Sequence, residues 1–184
     1  MKKARYGAFI IGTLLTLLPL FFISGCNVPS LSQNSTAIIT EFVDGDTIRA
    51  QGFDNSIRVL CVDFIDIKGN KPDGRPRIEK WTVDYGIPEE KVKNCYKEGI
   101  DRLNTEFLNK GATFETDMFS DDKDKYGRYL RYVQLYNGEY LEKWIIEQGY
   151  ADFDYDIPLS SKCQEWKALA LQVRENHQGC LWKS

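Results

Sequence analysis

Three short apolar runs decide the fold: Ala37-Ile38-Ile39-Thr40-Glu41-Phe42-Val43, Thr47-Ile48-Arg49-Ala50 and Ile57-Arg58-Val59-Leu60-Cys61-Val62. Each is rich in β-branched and apolar residues, which suit the half-buried pleated surface of a strand. Asp44-Gly45-Asp46 separates the first two and Gly52 to Ser56 the last two, both with the composition of turns. The expected start is a three-stranded meander. Further on, Ile100, Leu103, Phe107 and Leu108 recur at helical spacing within 89–109, and Gly111 supplies a stop. Strands are predicted over 112–118 and 128–136, around the charged turn from Asp121 to Gly127. A short helix from Leu141 to Gln148 and a last one from Ser160 or Ser161 to about Asn176 complete the order, the latter with Trp166, Leu169, Ala170 and Val173 on one face. Three strands, a helix, two strands and two helices predict an α+β fold: a five-stranded OB-type β-barrel with three flanking helices.

The segment before this domain has a different character. Lys2, Lys3 and Arg5 precede an uncharged apolar run from Ala8 to Ile23, followed by Ser24-Gly25-Cys26. A basic start, a short apolar stretch and a small-residue cleavage site read as a secretory signal. The run is shorter than the ~20 residues a spanning helix needs, and Pro19 interrupts it. Its end resembles the bacterial lipobox, in which the cysteine is acylated. The expected organisation is a lipoprotein signal peptide over 1–25, a lipidated Cys26 with a polar tether over 26–35, and a folded domain over 36–184. That organisation implies an extracytoplasmic, membrane-anchored bacterial lipoprotein of the cell envelope.

Formal charge is −3, and residues 1–25 carry three basic residues and no acidic ones, so the remainder sits near −6. A polyanion partner would therefore need positive charge gathered locally. With Cys26 set aside, Cys61, Cys95, Cys163 and Cys180 remain, an even number that suits disulfides in an exported chain. A helix over 163–176 would put Cys163 and Cys180 about 20 Å apart, beyond the ~7 Å between Cα atoms that a disulfide tolerates. Cys163 is expected to pair with Cys61 or with Cys95. His177 is the only histidine, which argues against catalysis built on histidine pairs, and neither a P-loop nor zinc-spaced Cys/His sets occur.

Chemistry is carried by three spacings: Val43-Asp44-Gly45-Asp46-Thr47, Arg58-Val59-Leu60-Cys61-Val62-Asp63, and Asp124-Lys125-Tyr126-Gly127-Arg128. Singly each is a common turn or strand. In this order the chain resembles the staphylococcal nuclease family over roughly residues 36–182, with Gly179-Cys180-Leu181-Trp182 as a loose match to the family's C-terminal end. The resemblance implies a calcium-dependent, monomeric endonuclease that hydrolyses DNA or RNA with little sequence preference and leaves 3′-phosphates. By the same resemblance Asp46 and Asp63 are carboxylate ligands of calcium, as hard oxygen donors should be, and Phe64 lends its carbonyl. Arg58 and Arg128 grip the scissile phosphate. Lys125 and Tyr126 contact a nucleotide phosphate, and Tyr155, or in another register Phe153, lines the nucleotide pocket.

The sequence departs from the family at Asp66, where a glutamate acts as general base, and at Ile65 and Phe64, which replace proline and threonine. Asp66 is one methylene shorter than glutamate, and a base must come within hydrogen-bond reach of its proton. The alternative reading is a barrel with weakened chemistry that binds nucleic acid or protein at the envelope. The 68–88 stretch, with Pro72, Gly74, Pro76, Gly86 and Pro88, reads as a long loop. Its basic half, including Lys71, Arg75 and Arg77, is expected to guide a polyanion inward. For the N-terminus the expected outcome is direct: intact-mass measurement of membrane-extracted protein finds acyl mass on Cys26, and an unmodified Cys26 contradicts the lipoprotein reading.

Overall fold

The computed structural model describes residues 34–71, 73–156 and 160–183. The predicted signal peptide, Cys26 and most of the tether lie outside these residues. No helix among the described residues is long and apolar enough to cross a membrane.

Five strands close a barrel in the order β1-β2-β3-β6-β5. They are β1 (Ser35–Phe42), β2 (Thr47–Ala50), β3 (Ile57–Val59), β5 (Gly111–Glu115) and β6 (Tyr129–Leu135). β1, β2 and β3 form the expected meander, β5 and β6 pair antiparallel, and β3 runs parallel to β6. Closure comes from β1 against β5, with Ser35 opposite Phe114 and Ile38 opposite Gly111. Inside, Ile39, Ile48, Ile57, Phe114 and Val133 are fully buried. Helices α1 (Glu89–Phe107), α2 (Leu141–Glu147) and α3 (Ser161–Glu175) flank the barrel, followed by a short α4 (Gly179–Trp182). α1 buries Val92, Cys95, Gly99, Leu103 and Phe107, the one-sided spacing of an amphipathic helix. Ser160 caps α3, its hydroxyl accepting from the Cys163 N–H at 3.3 Å.

The third apolar run is two strands, not the single strand that its composition suggests. It breaks after Val59, turns through Leu60 and Cys61, and resumes as β4 (Val62–Phe64). β4 leaves the barrel and pairs antiparallel with β7 (Ala151–Phe153), a strand that sequence reading did not foresee. Cys61 takes a left-handed backbone, with φ of 66°. It is fully buried and disulfide-bonded to Cys163 of α3, with Cα atoms 5.4 Å apart. The second bridge, Cys95–Cys180, ties α1 to α4. Of the two pairings open to Cys163, the structure has the one with Cys61.

The 68–88 stretch is not wholly loop. Lys80–Asp84 forms a π-helical turn whose Trp81 is buried against Tyr85 and Trp182. This packing fastens the segment beside the open end of the β3–β4 corner.

Glu142 of α2 is fully buried. One oxygen accepts from the Val133 N–H at 3.1 Å, and the other has no partner among the described residues. Burial pushes its carboxyl from the usual 4.5 up to about 8, against the pull of backbone N–H bonds. Between those values the folded protein holds a proton that the unfolded chain has released, so this group makes stability fall as pH rises. Glu142→Gln removes the titration. Thermal melts at about pH 5 and about pH 8 should show a smaller drop in Tm for the variant than for the unaltered protein. Equal drops would contradict this account.

Candidate active site

The corner between β3 and β4 opens a cavity of about 440 Å³. Its lining takes in Asp46, Arg58, Asp63, Phe64, Asp66 and Arg128, so six residues singled out by spacing and resemblance meet in one place. They converge because the chain supplies them from four directions. Asp46 ends the turn between β1 and β2, which closes with the Val43 N–H on the Thr47 carbonyl at 2.9 Å. Arg58 sits mid-β3 opposite Thr47. Asp63 and Phe64 lie on β4, past the Cys61 corner, with Asp66 just beyond. Arg128 immediately precedes β6, and its Nη1 lies 3.4 Å from the Thr47 hydroxyl.

Arg58 is the centre of the arrangement. Its guanidinium lies 2.8 Å from an Asp46 oxygen and 3.0 Å from an Asp154 oxygen, with 11% of the side chain exposed. Asp46 also accepts from the Phe64 N–H at 2.9 Å and the Thr47 hydroxyl at 3.2 Å. Burial pushes the Asp46 carboxyl up; Arg58 opposes that rise, and the neighbouring carboxylates Asp44 and Asp63 add to it. Burial likewise raises Asp154, with Arg58 pulling the other way. Burial alone would lower Arg58, but Asp46 and Asp154 outweigh it and hold the guanidinium above its ordinary value. Gly45 is required for space: a Cβ there would stand 2.1 Å from the Phe64 ring. The glycine of Asp-Gly-Asp thus lets the Phe64 ring lie against the turn that carries Asp46.

Asp124 builds the other arm. Its Oδ1 accepts the Tyr126 and Arg128 N–H groups at 2.9 Å each, and its Oδ2 pairs with Arg128 Nε at 2.7 Å. Gly127 takes the positive φ, 81°, that this tight turn needs. Tyr126 and Lys125 do not line the cavity. They stand at its rim, with the exposed Tyr126 ring 5.6 Å from the Arg128 guanidinium and 5.1 Å from Lys125 Nζ. Tyr155 is exposed and edge-on to Phe153 at 5.2 Å, while its neighbours Asp154 and Asp156 face the cavity. Phe153 is a core residue, not a pocket aromatic.

The segment before α1 supplies cations that motif reading did not assign to the site. Lys80 pairs with Asp63, Arg77 lies 3.2 Å from Asp66, and Lys71 joins the lining. Arg75 does not; it pairs with Asp73 at 2.9 Å on the surface. Asp154 was also missed, although the alternation Asp152, Asp154, Asp156 through an aromatic stretch is a period-2 signal that would have exposed a short strand. The cavity wall carries six carboxylates and five cations, so positive charge is gathered here but nearly balanced by acids.

Asp46 and Asp63 are hard oxygen donors that line the same cavity. This donor set fits a hard divalent cation such as calcium. No group of three or more His, Cys, Asp or Glu side chains is gathered for a metal among the described residues. Backbone, water or substrate oxygens would have to complete the coordination.

Removing a buried cation from between two carboxylates leaves both unpaired. In chelator, Arg58→Ala should therefore lower the free energy of unfolding by about 3 kcal/mol in urea denaturation. A loss below about 1 kcal/mol would show that the pairing is not structural.

The family described as staphylococcal nuclease homologue matches the chain over residues 84–184. No curated protein matches it. The matched stretch holds the Asp124–Arg128 arm, Asp154 and Tyr155, whereas Asp46, Arg58, Asp63 and Asp66 precede it. With more than half of its length matched and a closed five-stranded barrel with flanking helices, the chain belongs to the staphylococcal nuclease homologues.

Proposed function

We propose that this protein is a calcium-dependent nuclease that hydrolyses DNA, RNA or both with little sequence preference and leaves 3′-phosphate ends. The observation that carries the reading is the convergence of Arg58 and Arg128 with Asp46, Asp63 and Asp66 on one open cavity. Guanidinium groups from β3 and from the turn before β6 suit the oxygens of a single phosphodiester and the charge that builds on them during attack. Arg58 is held rigidly by two carboxylates, and Arg128 by the Asp124 turn, so neither must be ordered when substrate arrives.

Asp46, Asp63 and the Phe64 carbonyl would hold calcium, which supplies Lewis-acid polarisation of the phosphate when bound. Asp66 orients the attacking water and takes its proton. Arg128, partly exposed, stabilises charge on the leaving 5′ oxygen. Lys125, Tyr126 and Tyr155, at the rim, take the flanking nucleotide. The domain acts as a monomer, anchored through acylated Cys26 behind a signal peptide over 1–25, so that it meets nucleic acid outside the membrane.

One observation favours the second reading, a binding module with weakened chemistry. Asp66 has one oxygen on Arg77 and the other on the Lys68 N–H, at 2.9 Å. A base so engaged must be freed before it can take a proton. Kinetics on single-stranded DNA and RNA, in calcium and in chelator, decide between the two. The enzyme reading expects calcium-dependent cleavage, with Asp66→Asn and Arg128→Ala each slower by about 100-fold. A folded protein that binds the oligonucleotide without cleaving it would establish the binding module instead.

A further inference from the structure

Lys80 is built into the cavity wall. It opens the π-helical turn, its ammonium rests on the Asp63 carboxylate, and only 15% of its side chain is exposed. Its Nζ lies 4.8 Å from the ring centre of Trp81, which is buried and packed on Tyr85 and Trp182. An ordinary surface ion pair is loose and nearly energy-neutral; this one is anchored by an aromatic cluster and aimed at a single carboxylate.

The inference rests on the reading of Asp63 as a cation ligand. An ammonium and a divalent cation on the same carboxylate would bring like charges within a few ångströms, which is costly in a partly buried site. We propose that Lys80 is an internal competitor for the metal. It neutralises Asp63 until a divalent cation displaces it, and so sets the affinity of the site and its preference for ions of charge two or more. A monovalent ion offers Asp63 no more charge than Lys80 already does.

Calcium titration calorimetry on the full-length protein in detergent tests this, beside Lys80→Met, Lys80→Arg and Asp63→Asn. Lys80→Met should bind calcium about tenfold tighter, Lys80→Arg should stay near the unaltered protein, and Asp63→Asn should lose binding. A second measurement needs no variant: a brief pulse of an acylating reagent, read by mass spectrometry, should label Lys80 several-fold faster in calcium than in chelator. If Asp63→Asn keeps full calcium affinity, the reading of Asp63 itself fails. If Asp63→Asn loses calcium while Lys80→Met binds no tighter and Lys80 labelling ignores calcium, the competition is overturned. Should Lys80→Met not fold, the labelling alone decides.

Discussion

A cation taken out of water must be paired, and the pairing of Arg58 with Asp46 and Asp154 organises the rest of the site. Three distant segments meet on that guanidinium: the β1–β2 turn, β3 itself, and the chain just after β7. Once they meet, other positions follow. The Asp46 carboxylate reaches across to the Phe64 N–H, which fixes β4 against the turn. The Phe64 ring then lies where any side chain at Gly45 would stand. The Cys61–Cys163 bridge holds the corner between β3 and β4 on α3, so Asp63 and Asp66 face the same cavity as Arg58.

Much of this was legible in the sequence, and the exceptions have physical causes. Barrel strands and helices show themselves through β-branched runs, turn residues and helical spacing, all local signals. The break at Leu60–Cys61 has no local signal, because every residue from Val59 to Val62 is apolar. It is made by tertiary contacts: the disulfide, and the Leu60 N–H donating to the Arg131 carbonyl at 3.0 Å. β7 is three residues long and exists because β4 has left the barrel and needs a partner. The motif residues Asp46, Arg58, Asp63, Asp66 and Arg128 were readable because their spacing is distinctive. Lys80 was not, since it is defined by the carboxylate it neutralises and not by its neighbours in sequence; Asp154 left only the period-2 trace of Asp152, Asp154 and Asp156.

Under the proposed function, charge placement lets an acidic protein handle a polyanion. The excess of carboxylates is spread over the surface, while the cavity holds nearly equal numbers of acids and cations. Four of its six acids have a cation partner: Asp46 and Asp154 share Arg58, Asp63 pairs with Lys80, and Asp66 with Arg77. Such a site is stable without ligand and poised to exchange partners. The 68–88 segment supplies Lys71, Arg77 and Lys80 to the cavity wall.

The most direct measurement of the central claim, that this cavity hydrolyses phosphodiesters, is end-group analysis of single-stranded DNA digested by the protein in calcium. The account predicts fragments with 3′-phosphate and 5′-hydroxyl ends, and none in chelator. Fragments of the opposite polarity, or intact DNA in the presence of folded protein and calcium, would contradict it.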